Sequence, residues 1–107
     1  MIHLGIIEDE PIMLASVEEC FEASRDVTVE LAATSVEDFL AGLPATSPLN
    51  TILLDIMLPG MNGIVGIPRL LAKWPELDII MLTNSDDSDN IFRALQAGAF
   101  GYISKKR

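Results

Sequence analysis

The chain has 107 residues, of which half are hydrophobic and 21% are charged, so it fits one domain with a buried core and excludes general disorder. Sixteen acidic and seven basic residues give a net charge of −9, which argues against direct binding to nucleic acid or an anionic membrane, because phosphate contacts need Lys and Arg. A single cysteine, no apolar run near the ~20 residues of a membrane span and no signal-peptide pattern predict a cytoplasmic protein without an internal disulfide.

The first half of the chain alternates short apolar segments with segments of helical period. Residues 2–7 are predicted to form a strand, and residues 11–24 a helix. The predicted apolar face of that helix consists of Met13, Val17, Cys20 and Phe21. Apolar and polar residues alternate over 27–31, which predicts a strand at a sheet edge with one solvated face. Ser35 is a candidate N-cap of a second helix that extends to about Leu43.

The middle of the chain contains two continuous apolar segments, 51–54 and 79–82. Such segments are typical of strands that are buried on both faces of a parallel sheet. Between them, apolar residues at helical spacing predict a third helix that runs from about Ile64 to Trp74. Pro68 lies inside this helix and predicts either a late start or a bend.

A fourth helix that stops near Gly98 and a short strand at 101–103 complete the pattern. Alternating strands and helices predict an α/β fold with a parallel sheet and right-handed crossovers. Because the second strand alternates and the central ones do not, we expect the flavodoxin-like strand order 2-1-3-4-5, which is common among doubly wound sheets. Ligands of such sheets bind at the carboxyl ends of strands one and three, where the order reverses.

Polar residues follow the predicted strands at this same edge. They are Glu8, Asp9 and Glu10 after the first strand, Asp55 after the third, Thr83 after the fourth and Lys105 after the fifth. Carboxylates that lie close together repel one another, and Mg²⁺ relieves the repulsion with the hard oxygen ligands that it prefers. A carboxylate can also accept a phosphoryl group if a metal ion and an ammonium neutralise its oxygens. In this sequence the acceptor would be Asp55, and the neutralising groups would be Mg²⁺, the Lys105 ammonium and the Thr83 hydroxyl.

Four segments, in order and spacing, resemble the receiver domain of two-component response regulators. They are IIEDEP at 6–11, LLDIMLPGMNG at 53–63, IIMLT at 79–83 and ALQAGAFGYISK at 94–105. The resemblance extends over nearly the whole chain, so residues 1–107 are expected to be one receiver domain. It is closest to receivers that precede a helix-turn-helix output domain, which implies transcriptional control, with DNA bound through that other domain.

The resemblance also implies a role for each site residue. Asp55 would be the phosphoacceptor for a sensor histidine kinase. Mg²⁺ would be bound by Asp9, assisted by Glu8, together with Asp55 and the backbone carbonyl of Met57. Lys105 would contact the phosphoryl group. The switch pair would be Thr83 and Tyr102, the hydroxyl moving to the phosphate and the ring turning inward behind it.

Two features depart from the usual receiver pattern. Receivers usually end with a fifth helix, whereas this sequence stops at Arg107, so the final helix is expected to be missing or truncated. The usual dimer face includes that helix, and the sequence therefore leaves a homodimer open. Asn84 follows Thr83 where the family commonly has Ala or Gly, and its amide would either narrow the pocket or add a hydrogen bond.

The sequence favours a phosphorylation-controlled switch that is not a metabolic enzyme, and three alternatives compete with it. A flavodoxin-like nucleotide binder needs an anion-accepting loop after the first strand, where Glu8, Asp9 and Glu10 would repel phosphate. An aspartyl phosphatase usually has a second Asp two residues after the first, but position 57 is Met. A receiver-like interaction module that is not regulated by phosphate remains open, and Mg²⁺ binding would test it.

Cys20 is expected to be a small buried hydrophobic residue.

Overall fold

Strands and helices alternate along the chain, as the sequence predicts. The computed structural model describes residues 1–58, 60–83 and 88–105, which form five strands and four helices. In chain order these are β1 (Ile2–Ile7), α1 (Pro11–Glu22), β2 (Val27–Ala33), α2 (Val36–Gly42), β3 (Thr51–Asp55), α3 (Gly63–Lys73), β4 (Asp78–Thr83), α4 (Ser88–Ala97) and β5 (Gly101–Ser104). In the described part of the chain, β5 is the last element, and none of the helices could span a bilayer.

The five strands form one parallel sheet in the order β2-β1-β3-β4-β5. The predicted fold class and strand order are therefore confirmed. One row of paired residues crosses most of the sheet: Ile7 pairs with Leu54, Leu54 with Met81, and Met81 with Tyr102. Because the strands are parallel and this register is level, their carboxyl ends meet at one edge of the sheet.

The sheet has a hydrophobic cluster on each face, because successive residues of a buried strand point to opposite sides. Ile7 and Leu54 belong to the larger cluster, which also includes Phe39 of α2 and Ile67 of α3. The smaller cluster consists of Leu4, Ile6, Leu53 and Leu82, with side chains of α1 and β2 packed against it. This two-sided burial explains why the central strands are apolar without interruption.

Helix α1 faces the sheet with a different set of residues from the one predicted. Leu14, Val17 and Phe21 pack against the smaller cluster, whereas Cys20 is exposed. At about 100° per residue, Cys20 lies roughly 90° from the middle of that contact face. The prediction of a buried Cys20 was therefore wrong, because the position lies at the margin of the apolar face.

Helix α3 begins earlier than Pro68 would suggest. The side chain of Asn62 caps it by accepting a hydrogen bond from the Val65 N–H at 3.0 Å, and the helix runs from Gly63 through Pro68 to Lys73. Of the two alternatives for Pro68, the late start was wrong, because this cap fixes the first turn ahead of the proline. A bend at Pro68 stays a prediction. The predicted cap of α2 is confirmed, since the Ser35 hydroxyl accepts from the Asp38 N–H at 3.1 Å.

Candidate metal centre

Three carboxylates converge at the carboxyl ends of β1 and β3. One oxygen from each of Glu8, Asp9 and Asp55 lies within 4.8 Å of the other two. Glu8 directly follows β1 and Asp55 is the last residue of β3, and the neighbouring pair Ile7–Leu54 sets them side by side. Glu8 and Asp55 are buried, whereas Asp9 is exposed. The acidic cluster therefore has a buried floor and a rim that faces solvent.

The side chain of Lys105 lies between the two buried carboxylates. Its Nζ is 2.5 Å from Glu8 Oε1 and 3.1 Å from Asp55 Oδ2, and the side chain is 3% exposed. The backbone N–H of Lys105 donates to the Thr83 carbonyl at 2.7 Å, which extends the pairing of β5 with β4. A buried charge is tolerated when it is paired. The ammonium therefore neutralises one of the two buried negative charges.

One oxygen of this cluster has no partner. Within the described part of the chain, Glu8 Oε2 is buried and makes no hydrogen bond. Burial raises the pKa of Glu8 to about 7; the adjacent Asp55 carboxylate adds to the increase, whereas Lys105 opposes it. Burial alone would lower the pKa of Lys105, but its hydrogen bonds to Glu8 and Asp55 outweigh that effect and leave it raised. The cluster therefore has a surplus of negative charge.

This surplus fits a divalent cation. The cluster offers carboxylate oxygens alone, the hard ligands that Mg²⁺ prefers, and a cation there would satisfy the unpartnered oxygen of Glu8. The predicted ligand Met57 lies in the loop that follows β3, where its backbone N–H donates to Asp55 Oδ1 at 3.3 Å. Its side chain ends in a soft thioether, which Mg²⁺ does not favour, so only the backbone carbonyl of Met57 suits a metal of this class. The role of that carbonyl stays a prediction.

Two glycines place the loop between β3 and α3 close to Asp55. Gly60 has a φ of +72°, a conformation that side chains other than hydrogen disfavour. At Gly63 an added Cβ would lie 2.1 Å from the Asp55 carbonyl oxygen, and the Gly63 N–H donates to the Ile56 carbonyl at 2.8 Å. The start of α3 is therefore packed directly on the backbone that carries Asp55.

A cavity of about 360 Å³ opens above the cluster, and its described lining consists of Asp9, Glu10, Asp55, Ile56, Met57, Thr83 and Asn90. Thr83, the buried last residue of β4, contributes to this lining, and the role of its hydroxyl stays a prediction. Larger grooves lie between α1 and β2 and at the opposite end of the sheet. Neither of them contains the acidic cluster, and we assign the chemistry to the smaller cavity for that reason.

Sequence reasoning missed Asn90. It is four residues before Ala94, the buried residue of α4, so both lie on the same face of the helix and Asn90 is one turn nearer the strand ends. The four-residue spacing from Ala94 could have placed Asn90 on the inner face of the helix, but only if the first residue of α4 had been known. Asn84, the residue whose amide was expected beside the pocket, lies outside the described residues.

The structure brings five of the predicted side chains together but leaves Tyr102 elsewhere. The five are Glu8, Asp9, Asp55, Thr83 and Lys105. Tyr102 is 51% exposed and borders a surface pocket with Phe92 and Leu95 of α4. The predicted switch pair is therefore split between the cavity and the outer surface, and the inward movement of the ring stays a prediction.

Comparison with known proteins gives a consistent picture. Residues 4–107 match the family model described as the response regulator receiver domain. The chain is 30% identical over 105 residues to the DNA-binding transcriptional activator DevR/DosR of Mycobacterium tuberculosis, covering 98% of this chain and 48% of that protein. It is 30% identical over 100 residues to the nitrate/nitrite response regulator protein NarL of Escherichia coli, covering 94% of this chain and 46% of that protein. The chain thus spans about half the length of these relatives.

Solved structures show the same architecture. The BeF3-activated DrrB receiver domain superposes with a TM-score of 0.82 at 25% identity, covering 100% of this chain and 86% of that one. The signal receiver domain of a modulated diguanylate cyclase from Desulfovibrio desulfuricans G20 superposes with a TM-score of 0.83 at 29% identity, covering 96% of this chain and 80% of that one.

Proposed function

Because this chain belongs to the family of response regulator receiver domains, we propose that it is the phosphoacceptor switch of a two-component system and that a sensor histidine kinase phosphorylates Asp55. The observation that carries the proposal is the position of the Asp55 carboxylate. It is buried at the end of β3, lines the cavity, and contacts the Lys105 ammonium at 3.1 Å. A carboxylate in this setting has both access to a phosphodonor and a nearby positive charge.

In the proposed transfer, an Asp55 carboxylate oxygen attacks the phosphorus of a phosphohistidine. The new P–O bond forms as the P–N bond breaks, and the leaving imidazole nitrogen takes a proton from solvent. Lys105 holds its ammonium against the acceptor carboxylate, and the Thr83 hydroxyl donates to a phosphoryl oxygen. Hydrolysis ends the signal when water attacks the phosphorus, the P–O bond to Asp55 breaks, and inorganic phosphate leaves.

Glu8, Asp9 and Asp55, with the backbone carbonyl of Met57, are the residues that would hold Mg²⁺. When bound, the cation supplies positive charge to the phosphoryl oxygens during the transfer. Three carboxylates within 4.8 Å of one another and an unpartnered Glu8 oxygen support this assignment.

Phosphorylation would change the surface that α4 and β5 offer to a partner. The phosphoryl group adds about two negative charges, which draw the Thr83 hydroxyl and Lys105 toward it, and Tyr102 turns inward from its exposed position. The phosphoryl group shifts the population between two conformations of the domain only as far as it stabilises one of them relative to the other. We propose that the partner is a transcriptional output domain and that DNA is contacted through it.

The test is incubation with Mg²⁺ and a small phosphodonor, followed by intact-mass measurement. We expect the wild type to gain one phosphate, Asp55→Asn to gain none, and Asp26→Asn, which alters an exposed aspartate immediately before β2, to behave as the wild type. A wild type without added phosphate, or an Asp55→Asn variant that gains as much, contradicts the proposal. Failure to bind Mg²⁺ would favour an interaction module that does not use phosphate.

A further inference from the structure

Among the residues that the structure describes, few side chains beside Asp55 can donate hydrogen bonds into the cavity. Its described lining contains three carboxylates, Asp9, Glu10 and Asp55, and two side-chain donors, Thr83 and Asn90. The Lys105 ammonium lies beneath the cavity, bonded to Glu8 and Asp55. A phosphoryl group on Asp55 would bring three strong acceptor oxygens into this acidic space. Each neutral donor there would therefore contribute to binding the phosphoryl group.

Asn90 is placed to be one of those donors. It belongs to the first turn of α4, is partly buried, and shares a helix face with the buried Ala94. Within residues 1–58, 60–83 and 88–105, its carboxamide takes part in no hydrogen bond. The amide N–H groups are therefore available to a group that enters the cavity.

We propose that Asn90 is a further phosphoryl-binding residue whose carboxamide N–H donates to an oxygen of the group on Asp55. The inference rests on the proposed function, because it requires Asp55 to be the acceptor. Its consequence is that α4 contacts the phosphoryl group itself. Helix α4 then responds to phosphorylation by its own hydrogen bond, in addition to the route through Thr83 and Tyr102.

The test is calorimetric titration with beryllofluoride at saturating Mg²⁺, and with Mg²⁺ alone. A hydrogen bond to a charged group implies that Asn90→Ala weakens beryllofluoride binding about tenfold. Asn90→Asp keeps the shape but replaces the donor with a negative charge, and we expect a larger loss. The matched control is Gln96→Ala, which removes an exposed carboxamide from the same helix and should leave both affinities unchanged.

Three outcomes would overturn the inference. Beryllofluoride affinity of Asn90→Ala within about twofold of the wild type would show that the amide makes no such bond. An equal loss of Mg²⁺ and beryllofluoride binding would show a general disturbance of the site. Asn90→Asp with wild-type beryllofluoride affinity would show that no donor is needed at this position. If the wild type itself binds Mg²⁺ but not beryllofluoride, the proposed function fails first, which distinguishes the two.

Discussion

The two oxygens of Glu8 lie in different surroundings although both are buried. Oε1 accepts a hydrogen bond from Lys105 at 2.5 Å, whereas Oε2 has no partner among the described residues. Burial, and after it the adjacent Asp55 carboxylate, raises the pKa of Glu8 from 4.5 to about 7, whereas Lys105 opposes the increase. The free protein therefore retains a proton on Glu8 under conditions in which an exposed glutamate has lost it.

This raised pKa predicts a pH-dependent stability. The folded chain binds the Glu8 proton more tightly than the unfolded chain, so the contribution is complete below pH 4.5 and is lost as the pH rises through about 7. Without divalent cations, we expect the free energy of unfolding of the wild type, relative to Glu8→Gln, to fall by on the order of 3 kcal/mol over that range. Urea denaturation at several pH values measures it, and a difference that stays constant would contradict the prediction.

The same carboxylates predict that Mg²⁺ stabilises the fold at neutral pH. A ligand present at a hundredfold its Kd adds about 2.7 kcal/mol to the free energy of unfolding. We expect Asp9→Asn and Glu8→Gln to lose most of this gain, because each removes a carboxylate from the cluster. Glu19→Gln, at an exposed position of α1, is the control. The measurement is the urea midpoint of each protein with Mg²⁺ and with a chelator. An equal stabilisation by Mg²⁺ in all four proteins would refute the assignment of the cation to these carboxylates.

At the scale of elements, the end of β3 and the start of α3 act as one unit. Gly63 allows the helix to approach the Asp55 carbonyl, and an added Cβ would meet that backbone oxygen at 2.1 Å. Gly63→Ala should therefore lower the free energy of unfolding by about 1–3 kcal/mol and weaken Mg²⁺ binding. Gly101→Ala, where an added Cβ meets nothing within 4 Å, is the matched control in urea denaturation and calorimetry. Equal effects of the two substitutions would argue against the packing explanation.

Elements with strong local signals were predictable, and those that depend on neighbours were less so. Continuous apolar segments identified β3 and β4 because both faces of these strands are buried. Carboxylates at strand ends identified Glu8 and Asp55 because parallel strands end at a common edge. Periodicity alone could not decide that Cys20 lies just outside the contact face of α1. Asn90 was missed because its place depends on where α4 begins and how it packs on the sheet.

Over the whole molecule, the candidate site lies at one end of the sheet, and a set of contacts that joins two helices lies near the other. The acidic cluster occupies the carboxyl end. Near the other end, the Lys73 ammonium donates to the carbonyls of Leu40 and Leu43 at the end of α2 and lies 5.0 Å from the centre of the Trp74 ring. Trp74 in turn donates to the Pro44 carbonyl at 3.3 Å. These contacts join α2 to α3 far from the cavity.

This separation predicts that stability and binding can be changed independently. Lys73→Met removes the charged donor from two carbonyls and should lower the free energy of unfolding by about 2 kcal/mol. Mg²⁺ and beryllofluoride affinities should stay as in the wild type. Arg69→Met, at an exposed position of the same helix, is the control for loss of a surface charge. A weaker beryllofluoride affinity in Lys73→Met alone would show that the two ends are coupled.

The bond between Lys105 and Glu8 joins residues 97 positions apart. Closing so long a loop costs chain entropy that must be met before the contact forms. A nascent chain whose first strands have already paired still lacks the ammonium that balances its acidic pocket. Because Lys105 follows every other residue of the cluster in the sequence, we expect the acidic pocket to lack its balancing ammonium until β5 has paired with β4.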